Sequence, residues 1–201
     1  MQRYLVAVLS VAVFCLIAAG CAKPPTEEME AAKTAVRGAR DEGAAVYAAA
    51  EFEDATKALS DAETRVATKK YDEARALALQ AKQKAEQAKA SAVGNKAAAR
   101  VEAEASIAEA DTALSAATTA MATAPRGKGT EEDIAQLNLD LEQATALLAG
   151  AKQKAGAEDY YVAAADAEKV SAEAQRIVQA VKTAKENLER ARKKATEWMY
   201  K

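Results

Sequence analysis

Few side chains in this sequence are of the types that carry out catalysis. The chain has no histidine and two cysteines, Cys15 and Cys21. The lack of histidine removes the most common general base, and because processing of the N-terminus is expected to leave no free thiol, most zinc sites are removed as well. Catalysis by carboxylates alone would need two acids that converge in a cleft. Acids such as Glu63, Asp72 and Glu168 instead alternate with Lys and Arg, which is typical of solvated helix faces. The sequence therefore predicts a protein that is not an enzyme, with no catalytic residue, no metal ligand and no cofactor.

The N-terminus carries the one cysteine with a clear chemical role. Residues 1–20 combine an early cation, Arg3, with an apolar run from Leu5 to Ala19, which is typical of a secretory signal peptide that is removed. The following Ala18-Ala19-Gly20-Cys21 resembles a bacterial lipobox, in which the cysteine is diacylated and becomes the mature N-terminus. We therefore predict Cys21 as a lipidation site. Because Cys15 is discarded with the signal, no disulfide is expected. The alternative is an ordinary signal peptide with an incidental cysteine.

The residues after Cys21 predict where the mature chain is held. Ala22 stands where an aspartate would be expected in an inner-membrane lipoprotein, so the pattern resembles outer-membrane sorting in proteobacteria. Residues 21–25 then form a short, proline-stiffened tether. We expect a lipid anchor in the bacterial outer membrane, with the protein facing the periplasm. The formal charge of −2, with both signs interleaved, argues against nucleic acid as a partner.

The central stretch of the chain contains the same helical pattern twice. Apolar and small residues recur in steps of three and four, which places them on one helix face. A polar break at Thr68-Lys69-Lys70 separates two such runs, and the pair returns at an offset of about 89 positions, so we predict a duplicated helical hairpin. The first copy runs through Phe52, Ala55, Leu59, Ala62 and Val66, then Tyr71, Ala74, Ala78, Ala81, Ala85, Ala88 and Ala92. The second runs through Leu141, Ala144, Leu148, Ala151 and Ala155, then Tyr160, Ala163, Ala167, Val170, Ala174, Ile177 and Val181.

A further helix precedes each hairpin. The first is predicted to begin at Thr26, whose hydroxyl would cap it, and to end at Gly43. Gly94-Asn95 interrupts the pattern by one residue, as a kink, a stutter or a helix break. In the second copy, Thr130 with Asp133 predicts a capping box. The stripe residues are Met29, Ala32, Val36 and Ala39 in the first copy, and Ile107, Ala110, Leu114, Ala117 and Met121 in the second.

Together these patterns predict the fold class. We expect an all-α, elongated antiparallel helical bundle made of two tandem three-helix units with alanine-rich, coiled-coil-like seams. The units cover residues 26–93 and 96–201, with a loop at 123–130. Because alanine buries little surface, the core should be thin, while the helix axes can approach closely.

The aromatic residues have positions that suggest packing. Tyr71 and Tyr160 open equivalent helices, and we expect each ring to close the end of its hairpin with the hydroxyl at the wet edge. The seam of the last helix continues through Ala184, Leu188, Ala191 and Ala195 to Trp198. Trp198 is therefore expected to pack against the bundle or cover its end.

Part of the chain resembles a known family. A lipobox and a proline tether are followed by Gly43-Ala44-Ala45-Val46-Tyr47, by a helix opening at Glu51-Phe52, and by Lys70-Tyr71-Asp72-Glu73-Ala74. This arrangement resembles the DUF4398 lipoproteins, which are alanine-rich helical proteins of the bacterial envelope, over about residues 25–92. The resemblance implies a location and a helical shape. It implies no molecular function, because that of the family is unknown.

Two classes of function fit these patterns. The first is a lipid-anchored periplasmic rod that acts as a structural, scaffolding or protein-interaction component of the cell envelope, with other envelope proteins as partners. The alternative is a bundle that binds a small or apolar ligand between its helices. The sequence ends Trp198-Met199-Tyr200-Lys201, which resembles the end of Braun-type lipoproteins. Lys201 is therefore a candidate for covalent attachment to peptidoglycan.

Overall fold

The computed structural model describes residues 23–125 and 131–200, with the side chain of residue 131 excepted. Helices make up 91% of these residues and pack as a helical bundle with no strand among them, so the predicted all-α fold is confirmed. Cys21, Lys201 and the capping box at Thr130 lie outside the described residues. The helices are α1 (Thr26–Asp41), α2 (Ala44–Tyr47), α3 (Ala49–Ala67), α4 (Tyr71–Ala122), α5 (Glu131–Gly156) and α6 (Tyr160–Met199).

The chain divides into two compact units, with the boundary between Asn95 and Lys96. This boundary lies inside α4, which runs without interruption through Gly94-Asn95. The burial pattern shows how the extra residue is accommodated: Lys96, Ala99, Ala103 and Ile107 are all at least partly buried and follow in steps of three, four and four. Among the alternatives left open by the sequence, the structure therefore has a stutter in one continuous helix.

In the first unit, α1 presents the predicted stripe to the core. Met29, Ala32, Val36 and Ala39 are all buried. The predicted cap is wrong, however, because Thr26 is already the first helical residue. Pro25 occupies the N-cap position, and no side chain caps the helix. The backbone N–H of Thr26 donates to the carbonyl of Pro24 at 2.9 Å, so the proline pair precedes the helix directly. The hydroxyl of Thr26 is therefore one position too late in the chain to act as the N-cap.

A glycine corner follows α1, and the sequence did not predict the short helix after it. Gly43 has a φ of 83°, a left-handed conformation that side chains disfavour. A Cβ at this position would also lie 3.2 Å from the ring of Tyr47. The chain then makes the single turn of α2, and the side-chain amide of Asn95 donates to the carbonyl of Tyr47 at 2.6 Å. Gly43 therefore ends α1 and redirects the chain into the hairpin.

The two predicted hairpins close with the same turn. In the first, Lys69 has a φ of 58° and the N–H of Lys70 donates to the carbonyl of Arg65 at 2.9 Å. In the second, Glu158 has a φ of 65° and the N–H of Asp159 donates to the carbonyl of Lys154 at 3.0 Å. Both are Schellman turns, in which a left-handed residue lets a backbone N–H reach back to the last turn.

The cores of both units lie along the predicted seams. In α4, every buried residue from Ala74 to Ala117 is an alanine. In the second unit α6 supplies the largest fully buried side chains, Val170, Ile177 and Val181. These pack against α4 and α5 through Ala110, Ala144, Leu148 and Ala151 on one level, and Ala117, Met121 and Leu137 on the next.

Candidate interaction surface on the last helix

The last helix of the second unit continues past the helices that cover it. The ammonium of Lys185 donates to the hydroxyl of Thr123 at 2.7 Å, which places the end of α4 beside Lys185. On α5, Leu137 packs in the same core cluster as Val181 of α6, and Leu137 lies six residues after the start of α5. The six residues of α5 before Leu137 run past Val181 to about the level of residues 186–188, and beyond these α6 extends past the described parts of α4 and α5. We call residues 186–200 the overhang, which is about 20 Å long at 1.5 Å per residue.

The apolar seam does not stop where the cover stops. Ile177 and Val181 are fully buried, Ala184 and Leu188 are half-buried, and the later positions are exposed. The seam keeps the same alternation of four and three residues throughout, so the buried and exposed parts lie on one face of α6. The exposed positions at the end are Ala191, Ala195 and Trp198, with Met199 beside them.

The exposure of Trp198 corrects the sequence-based prediction. Its residue surface is 82% exposed, and the neighbouring Met199 and Tyr200 are 70% and 87% exposed. Trp198 therefore neither packs in the bundle nor covers its end. The register was correct, but the register reports only which face would meet a partner. A signal was present in the sequence: the last helix was predicted to run to Trp198, well past the start of its partner.

The charges that border the seam of the overhang are positive, whereas both signs occur on its other faces. Arg192 and Lys194 lie on either side of the seam, about 80° from its centre at 100° per residue. Glu186, Glu189 and Glu197 lie on the opposite face. The guanidinium of Arg190, which is also away from the seam, donates to the side-chain oxygen of Asn187 at 2.7 Å. The seam of the overhang is thus an apolar stripe bordered by cations.

A buried carboxylate fastens α5 to α6 below the overhang. Asp166 is 5% exposed, and it accepts hydrogen bonds from Lys154 of α5 at 2.5 Å and Lys169 of α6 at 2.8 Å. These two bonds lower the pKa of Asp166, against the effect of burial. Sequence reasoning missed this residue, because Asp166 is one acid among many in an interleaved charge pattern.

A second ionic cluster lies further along the same pair of helices. Arg176 of α6 contacts Asp140 of α5 and Glu173 one turn earlier. A hydrogen bond from Gln136, together with the Arg176 contact, lowers the pKa of Asp140. Both clusters join helices through paired charges, and this arrangement stabilises the hairpin that supports the overhang.

The acids chosen from the sequence as surface charge have the expected positions. Glu63 and Asp72 are exposed, and each makes an ion pair, with Lys33 and Arg75 respectively. Glu168 is exposed on α6. Within residues 23–125 and 131–200, no group of acids or other ligands is arranged to hold a metal ion.

The tyrosines that open the equivalent helices differ in burial. Tyr160 is 8% exposed and lies in the core at the start of α6, as expected. Tyr71 is only half-buried.

The start of the first unit also has a hollow of about 430 Å³, with Pro24, Pro25, Met29 and Val66 among its lining residues. Lys33 and Glu63 stand at its edge, 4.0 Å apart.

None of the described helices combines the length and apolar character that a membrane span requires. No curated protein and no solved structure matches the chain. Residues 27–104 match a protein family described as "Domain of unknown function (DUF4398)". The match begins in α1, includes the Gly43 corner and the first hairpin, and ends within α4. Residues 27–104 are therefore similar to DUF4398, and this agrees with the resemblance found from the sequence over about residues 25–92.

Proposed function

We propose that this protein is a lipid-anchored periplasmic component of the bacterial cell envelope, attached to the outer membrane, whose helical bundle docks other envelope proteins. The observation that carries the docking role is the overhang of α6. Its seam has the register of a helix–helix interface but lacks a partner among the described helices.

The anchoring role is supported by the sequence of the N-terminus. A signal-like run precedes Ala18-Ala19-Gly20-Cys21, and the tether that follows is short. Helix α1 begins at Thr26, and Pro25 directly before it is fully buried. Acyl groups on Cys21 would therefore be joined to the folded unit through very few residues. Several acyl chains give stable attachment, since each buried methylene contributes about 0.8 kcal/mol.

Replacing Cys21 tests the anchor. The Cys21→Ser variant is expected to lose labelling by a radioactive fatty acid and to move from the outer-membrane fraction to the soluble periplasm. The matched control is Cys15→Ser, which removes the other cysteine and is expected to leave labelling and fractionation unchanged. Equal membrane retention of the wild type and Cys21→Ser would contradict the lipoprotein proposal.

A further inference from the structure

The overhang of α6 shows what kind of partner would fit it. Beyond Lys185 the seam presents Leu188, Ala191, Ala195 and Trp198, in register with the buried seam that already packs two helices at Ile177 and Val181. A stripe of this spacing is complementary to another α-helix, because the two small residues at its centre, Ala191 and Ala195, allow close approach of the helix axes. The surface therefore continues an existing helix–helix interface.

The charges beside the seam select among helical partners. The positions that border it in the overhang carry Arg192 and Lys194, whereas the three glutamates are turned away from it. A second copy would not satisfy these cations. In antiparallel pairing of two copies, Arg192 would face Arg192 of the other copy and Lys194 would face Lys194. In parallel pairing, Arg192 would face Asn187 of the other copy and Lys194 would face Met199. A helix with Glu or Asp beside its own seam would pair with both cations.

A membrane surface fits the overhang less well than a helix does. Interfacial helices bury a broad face of large apolar residues. Here Leu188 and Trp198 are the only large residues on the seam itself, and two alanines lie between them. The narrow seam is suited to the groove of another helix.

We propose that the overhang, residues 186–200, docks an amphipathic α-helix of a partner protein whose small and apolar seam is bordered by acidic residues. This deepens the docking role proposed above and rests on it, but it does not depend on the lipid anchor. Trp198 at the end of the seam would become covered on docking. Since it is the only tryptophan in the chain, its fluorescence reports on this surface alone.

The test uses the full mature chain, lipidated or soluble as the cell produces it, and two synthetic helical peptides without tryptophan. Both peptides have alanine and leucine on the seam; one has glutamate and the other lysine at the bordering positions. The glutamate peptide is expected to shift the emission of Trp198 to shorter wavelength in a saturable way. The lysine peptide should bind at least about tenfold more weakly, because it places like charges together. The preference should decrease as salt is added.

Two double variants separate the bordering charges from charge in general. Arg192→Glu with Lys194→Glu should reverse the preference between the peptides. Arg190→Glu with Lys193→Glu makes the same change in net charge on other faces of the helix and should leave the preference intact. Because these side chains lie outside the core, both variants should keep the wild-type circular dichroism.

Four results would overturn the proposal. They are no shift with the glutamate peptide, equal binding of both peptides, a concentration-dependent shift without peptide, and a shift with phosphatidylglycerol vesicles but not with the glutamate peptide. The third would assign the surface to a second copy and the fourth to a membrane. Fractionation of Cys21→Ser is independent of all four, so failure of the anchor and failure of the docking surface can be distinguished.

Discussion

At the scale of single residues, Asp166 is the clearest case of a role that the sequence did not reveal. It lies beside the α6 seam, next to Ala163, Ala167 and Val170, and its carboxylate is buried with two lysines as donors. A buried carboxylate is stable only when it is paired and hydrogen-bonded. Lys154 comes from α5, on the other side of the turn at Glu158. The pairing therefore depends on how two helices meet, which a helical periodicity does not specify.

Replacing Asp166 by asparagine should destabilise the second unit. The Asp166→Asn change keeps the size of the side chain but removes the charge that accepts from Lys154 and Lys169. We expect a loss of about 1.5–3 kcal/mol in the free energy of unfolding, the range for hydrogen bonds to charged groups. Urea unfolding followed by circular dichroism measures it. The control is Glu168→Gln, an exposed acid two residues away, which should change stability little. Equal effects would show that burial of Asp166 is unimportant.

At the scale of helices, the alanine seams are the feature that the sequence predicted best. Their spacing gave the buried faces of α4 and α6 because side chains three and four apart share a helix face. The same reasoning gave both turns, since it located where one seam ends and the next begins. It did not give α2, because four residues are too few for a periodicity. The exposure of the overhang was also missed, because periodicity shows which face of a helix would meet a partner and not that α6 is longer than the helix it packs against.

Enlarging a seam residue should destabilise the first unit. Ala81 of α4 is fully buried in a core cluster with Met29, Ala32, Ala58 and Ala62, so Ala81→Leu would force its neighbours apart. We expect a cost of about 1–3 kcal/mol, measured as a lower midpoint of urea unfolding. The matched control is Ala76→Leu on the exposed face of the same helix, which should change the midpoint little. If both variants behaved alike, the register of α4 would be wrong.

At the scale of the whole molecule, the ionisable groups determine how stability depends on pH. Among the described residues, four carboxylates have a lowered pKa, each through a paired or hydrogen-bonded contact: Glu28, Asp54, Asp140 and Asp166. A group with a lowered pKa contributes its full stabilisation above its ordinary pKa, and this is lost as the pH falls through the lowered one. The sequence contains no histidine, the side chain that ordinarily titrates between pH 5 and 8.

The free energy of unfolding should therefore be constant between pH 6 and pH 8. It should fall only below about pH 4, the ordinary range of carboxyl groups, where Asp54 and the other three carboxylates begin to be protonated. Urea unfolding at a series of pH values, at constant ionic strength, measures this profile. Asp166→Asn should make the acid limb shallower, because one of the responsible groups has been removed. A change in stability between pH 6 and pH 8 would contradict the assignment to carboxylates.

The alanine lining of α4 also affects how the protein tolerates random mutation. In most cores, damage comes from truncation of a large side chain, which leaves a cavity. From Ala74 to Ala117 the buried positions of α4 are all alanines, which have almost nothing to truncate. Single-base changes of an alanine codon give valine, serine, threonine, proline, glycine, aspartate or glutamate. All but glycine enlarge the side chain, and glycine weakens a helix by about 1 kcal/mol. Single-base substitution at these positions is thus almost always harmful. A library of all substitutions should show its lowest tolerance along this one line of small residues.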